Sequence, residues 1–165
     1  MGNSSFPHQA LGLGGWLAVT GLAAAVAGAG SVSAPALYAR LVLPAWAPPT
    51  WVFGPVWTAL YALMGLAAWL IWSGRGVSGA RCALSLYLLQ LAVNALWSWL
   101  FFQWQRGLLA LADILLLLGF LLATLIAFWR IRPLAGWLLL PYLLWVGFAT
   151  VLNYAIWQGN PALLG

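Results

Sequence analysis

A small set of residues in this chain could do chemistry, and most of them are uncharged. Gln90, Asn94 and Ser98 recur at i, i+4 and i+8, a spacing that puts them on one face of a helix. Amides in an apolar surrounding are costly unless paired, so that face must look into a bundle or a cavity. Two uses are open: hydrogen bonds between helices, with Thr58, Tyr61 or Asn153 as partners, or an Asn94 amide presented to a ligand. Tryptophan is the second anomaly, at 13 of 165 residues. Trp favours membrane interfaces, which accounts for Trp16, Trp72, Trp104, Trp129, Trp137 and Trp157 near the ends of apolar runs. Trp57, Trp97 and Trp145 lie deeper in their runs. Interior indoles are flat and can each donate one hydrogen bond, so they serve helix packing or wall a pocket for a flat aromatic ligand.

Other chemistry is excluded by scarcity. Asp113 is the only acid, so no carboxylate pair exists for acid–base work. Lying in an apolar run, it is a functional candidate. Arg106, two turns earlier on nearly the same face, or a neighbouring helix is its expected bonding partner, and no chain of ionisable residues supports proton coupling. His8 stands alone, so no metal site is expected, and the single Cys82 permits no intrachain disulfide.

The elements that position these residues follow from composition. The chain is 65% hydrophobic and 4% charged, with a mean hydropathy of +1.01. A soluble domain is about a quarter charged, so a soluble enzyme is excluded, as is a disordered chain. The net charge of +5 comes from six scattered Arg that form no basic patch, so no nucleic-acid partner is expected. Five runs reach the roughly 20 residues needed to span a bilayer: 11–30, 51–72, 80–104, 108–129 and 134–157. The fold class is therefore an all-α membrane protein, one domain over 1–165, built as a five-helix bundle. The first run lacks the positive flank of a signal peptide and is read as a retained helix.

Short breaks at 73–79, 103–107 and 130–133 predict antiparallel, adjacent neighbours. Arg75, Arg81, Arg130 and Arg132 fall on one side against Arg40 and Arg106 on the other, which predicts the N-terminus inside and the C-terminus outside. Pro55 and Pro141 predict kinks in the second and fifth helices. The small residues of the first run, such as Gly14, Ala18, Gly21 and Gly28, permit close helix contact or a dimer. The segment 31–50 is too proline-rich to span, with Pro35, Pro44, Pro48 and Pro49, yet it carries Leu37, Tyr38, Leu41 and Trp46. Loops of this length are usually functional, and this one is expected to fold back and cap a pocket.

Four stretches carry a family resemblance. PAWAPPTWVFGPVWTALYALMG at 44–65, QLAVNALWSWLFF at 90–102, ALAD at 110–113 and LPYLLWVGFATVLNYAIW at 140–157 resemble the TspO/MBR family of tryptophan-rich sensory and translocator proteins. The resemblance implies a bacterial five-helix membrane protein, often a homodimer, with a pocket roofed by the first loop. It implies no required cofactor. Ligands would be porphyrins such as protoporphyrin IX or other flat apolar molecules, alongside membrane lipid, in tetrapyrrole sensing, transport or disposal. Carried over by position, the pocket would take Trp57, Asn94, Ala112, Leu116, Trp145, Ala149 and Leu152, with Trp46 and Trp51 as an aromatic frame. Phe53, Tyr61 and Trp97 complete the expected ligand-binding set, no catalytic residue is expected, and Arg40 is a candidate for a propionate.

Leu37 stands where many members carry a loop Trp tied to light-driven porphyrin degradation, which weakens an enzymatic reading with Trp145 as radical relay. Gln158 stands at the basic position of the animal sterol motif, which weakens sterol binding. A small-solute transporter is the third alternative.

Overall fold

Long apolar runs leave the backbone no partner in lipid but itself, and the chain answers with helices. A computed structural model describes residues 6–165; residues 1–5 of the expected single domain lie outside the described residues. The helices are α1 (Phe6–Gly30), α2 (Ala34–Tyr38), α3 (Phe53–Gly79), α4 (Arg81–Ser98), α5 (Gly107–Ile131), α6 (Pro133–Gly159) and α7 (Pro161–Leu164). Five of them, all but α2 and α7, are long and apolar enough to cross a membrane, and no strand occurs among the described residues.

Several boundaries differ from expectation. The break expected at 73–79 is helical, because Ser73 and Arg75 lower hydropathy without ending a helix; α3 is interrupted only at Gly76, at φ 65°. The actual connection to α4 is Ala80 alone. Pro55 sits in the first turn of α3, where its missing N–H would have no helical acceptor, so the kink expected there has no cause. Pro141 lies inside α6, which continues to Gly159.

The third expected span divides in two. α4 passes into a π-helical turn at Trp99–Gln103, where the Trp104 amide donates to the Trp99 carbonyl at 2.8 Å. The wider turn carries one more residue than an α turn, and the consecutive Phe101 and Phe102 are both buried there.

The long helices form a ring. α1 packs on α3 and α4, α4 on α5, α5 on α6, and α6 returns to α3. α3 and α4, though joined through one residue, touch each other far less, because α1 sits between them. The short-linker rule therefore holds for α4–α5 and α5–α6 and fails for α3–α4. The main core runs through the middle of this ring and includes Met64, Ile71, Tyr87, Leu121, Phe128 and Tyr142. A second core lies beneath the first loop, where Leu37 and Leu41 meet Phe101, Phe102, Leu152 and Leu164.

The contact between α1 and α3 is tight over one half of its length. The Trp72 ring lies directly over Gly12, and Leu17 lies against Gly65, so a side chain at either glycine would collide. The Trp69 indole donates to the Gln9 carbonyl at 3.1 Å, and Thr20 pairs with the Tyr87 hydroxyl at 2.6 Å. At the other end, the first loop is tied down by polar bonds. Ser33 Oγ donates to the Phe102 carbonyl at 2.9 Å. Asn160, at the end of α6, accepts from the Val42 amide at 2.8 Å and donates to the Val42 carbonyl at 2.9 Å. One side-chain amide thus makes the pair of bonds that a neighbouring strand would make.

Candidate functional site

The helix ends beneath the first loop do not meet, and a cavity of about 360 Å3 separates them. Its floor takes in two members of the polar stripe of α4, Asn94 and Ser98. Tyr61 donates to Asn94 Oδ1 at 2.5 Å, and Asn94 Nδ2 donates to the Tyr142 hydroxyl at 2.9 Å. Asn94 therefore joins α3, α4 and α6, as the interhelical alternative expected, and it also faces the cavity. The other stripe members fare differently. Gln90 is fully buried beside Met64 with its Oε1 unpartnered, and Ser98 lines the cavity. Of the partners expected for the stripe, Tyr61 is one; Thr58 bonds the Gly54 carbonyl of its own helix, and Asn153 accepts from the Trp97 indole at 3.0 Å.

The walls are aromatic. Trp57, Trp97 and Trp145, the three indoles that the belt explained poorly, all line the cavity. Phe53 sits edge-on to Trp145 with centroids 5.8 Å apart, and Tyr38 edge-on to Phe53 at 5.9 Å. Trp57 leans on Tyr61 at 5.6 Å, and Trp97 meets Phe102 edge-on at 5.5 Å. Such tilted and edge-on contacts hold each ring in place, so the surface offered to a ligand is already formed. Trp145 Nε1 is buried and has no hydrogen-bond partner. The Tyr38 hydroxyl is pushed up to about 12 by burial, so it remains a neutral donor across the physiological range.

Seven of the twelve expected residues line the cavity: Phe53, Trp57, Tyr61, Asn94, Trp97, Trp145 and Ala149. Five do not. Ala112 and Leu116 are on the outward face of α5, where Leu116 is 53% exposed. A helix presents its faces in turn, and α5 turns Ala110, Asp113, Ile114 and Leu117 inward instead. Leu152 is buried in the second core. Trp46 rests edge-on against Phe148 at 5.9 Å, and Trp51 is 75% exposed, so neither frames the cavity. Leu37 points into the second core while its neighbour Tyr38 lines the cavity.

Sequence reasoning missed the lining from α1, namely Ala24, Ala27 and Gly28, together with Ser31, Ala34, Pro35, Thr50 and Gly54. The small-residue pattern of the first run was the available signal. Asp113 is 7% exposed, and its Oδ2 has no partner, so the bond expected to Arg106 or a neighbouring helix is not formed there. No cluster of His, Cys, Asp or Glu able to hold a metal occurs among the described residues.

The sequence profile of the TspO/MBR family matches residues 16–158. The chain belongs to the TspO/MBR family. It is 45% identical over 125 residues to the human Translocator protein, covering 74% of each chain. To the Tryptophan-rich protein TspO of Chlorobaculum tepidum it is 43% identical over 146 residues, covering 86% of this chain and 92% of that one. To Protein CrtK of Rhodobacter capsulatus it is 37% identical over 148 residues, covering 87% and 92%. With five spanning helices and this family membership, the chain is an integral multi-pass membrane protein. The TspO/MBR names, sensory protein and translocator among them, fit a broad role in sensing or transport.

Proposed function

We propose that the cavity binds flat, apolar, aromatic small molecules, with tetrapyrroles such as protoporphyrin IX as the leading class, in sensing, transport or disposal of the ligand. The observation that carries this reading is the set of three indoles, Trp57, Trp97 and Trp145, around one cavity. Ligand sites are mostly apolar with a few placed polar groups. A cavity of about 360 Å3 is near the lower end of the ~300–1,000 Å3 range, so a tetrapyrrole would occupy its mouth as well as its interior. Its propionates would then remain outside the apolar walls, on the side of the exposed Arg40.

The test is titration of the detergent-purified protein with protoporphyrin IX in the dark, followed by Trp fluorescence. Saturable quenching that weakens at least tenfold in Trp57→Ala and Asn94→Ala supports the reading. Equal quenching in all three proteins would show partitioning into detergent and reject it.

The arginine distribution further supports an N-terminus inside, which puts the cavity mouth toward the outer leaflet. Cys82, exposed at the start of α4, provides the check. A membrane-impermeant maleimide applied to intact cells should leave it unlabelled, and prompt labelling would invert the topology.

A further inference from the structure

Four of the residues that line the cavity are also exposed: Gly28, Pro35, Thr50 and Gly54. Two belong to the last turn of α1 and the first turn of α3, and the other two to the loop between those helices. A Cβ built at Gly28 or at Gly54 meets nothing within 4 Å, whereas at Gly12 and Gly65, in the other half of the same helix pair, it meets Trp72 or Leu17. The two helices therefore close on each other at one end and leave a slot at the other, and the slot leads into the cavity.

The position of the slot along the membrane follows from helix length. The apolar span of α1 has 24 residues and ends at Gly30, and that of α3 begins at Thr50. At about 1.5 Å per residue, α1 is somewhat longer than the ~30 Å hydrocarbon layer. Gly28 and Gly54 thus lie where hydrocarbon meets headgroups. The edges of the slot are backbone and small side chains, with the Thr50 hydroxyl as their one polar group and no charged side chain among the residues that line the cavity.

The alternative route, lifting the first loop, has more to break. Leu37 and Leu41 are buried in the second core. Ser33 is bonded to the Phe102 carbonyl, and Asn160 holds both backbone groups of Val42. Among the described residues, no hydrogen bond crosses the slot. Resting on the reading of the cavity as a ligand site, we infer that apolar ligands reach it sideways from the bilayer interface, through the slot between the end of α1 and the start of α3, while the loop stays in place.

The test measures access directly, without a physiological ligand. A thiol is introduced by Ala149→Cys, on the cavity wall, in a Cys82→Ser background, and the protein is placed in lipid nanodiscs. The labelling rate by monobromobimane, a small uncharged planar reagent, is then followed. The Gly28→Leu/Gly54→Leu pair should slow labelling at least tenfold, and the corresponding pair of alanine substitutions should slow it less. Asn160→Ala, which releases the loop, should leave the rate within twofold. Unchanged labelling in both slot pairs would overturn the inference, as would a tenfold acceleration in Asn160→Ala. Protection of the introduced thiol by protoporphyrin IX is scored separately. Its failure would count against the ligand reading while leaving the access result as measured.

Discussion

The two halves of the α1–α3 contact are built from the same kinds of residue and do opposite things. In one half, Gly12 receives the Trp72 ring and Gly65 receives Leu17, so the helices close. In the other, Gly28 and Gly54 face open space, and the gap is walled by Trp57, Trp97 and Trp145. A glycine in a membrane helix therefore marks either a contact or a vacancy. What decides is whether the opposing helix supplies a side chain to fill the place.

Four substitutions would sharpen or break this contrast. The largest effect is expected in the closed half. Gly65→Leu should destabilise the protein by about 1–3 kcal/mol, the usual range for overpacking, seen as a lower thermal midpoint in detergent. A wild-type midpoint would show that the closed half has slack. Next is Asn94→Leu, which removes the bonds to Tyr61 and Tyr142. Interhelical polar bonds in membranes contribute about 1–2 kcal/mol at most, so the midpoint should fall modestly while protoporphyrin affinity drops at least tenfold. A loss of stability with full affinity would confine Asn94 to helix packing.

Third, Asn160→Ala should cost about 1 kcal/mol through its lost bonds to Val42. Faster hydrogen exchange at the Val42 amide, with the span amides unchanged, is the expected signature. The smallest effect belongs to the open half. Gly54→Leu should shift stability by no more than about 0.5 kcal/mol, as surface changes usually do. A loss as large as that of Gly65→Leu would erase the distinction between the halves.

The five spans were legible because an apolar run of the right length has one stable form in lipid. The pocket indoles were legible for a related reason: Trp57, Trp97 and Trp145 lay too deep for the interfacial role that explains the others. Helix neighbours were less legible. A one-residue link between α3 and α4 looks like a hairpin, yet α1 takes the place between them, and no local pattern announces an insertion from a distant segment. Ala112 and Leu116 were misplaced for want of helical phase, since motif position says nothing about which side of α5 faces in. The contribution of α1 to the cavity showed only as the small-residue pattern of the first run, because Ala24, Ala27 and Gly28 form a wall through what they lack. Asn160 gave no signal at all, being a single polar residue near a helix end, a place where such residues are ordinary.

The bond between Val42 and Asn160 joins positions 118 residues apart. During synthesis the chain emerges from its N-terminal end, at about 5–20 residues per second. The first loop is therefore made early and must wait, for several seconds at that pace, until α6 has been delivered to the membrane. Over that interval the indoles of α3 and α4 already exist, and their roof is held by Ser33 on the Phe102 carbonyl but lacks its second tie, from Val42 to Asn160. A ribosome arrested before α6 emerges would leave the cavity without the wall that Trp145 and Ala149 supply and the far end of the loop untied.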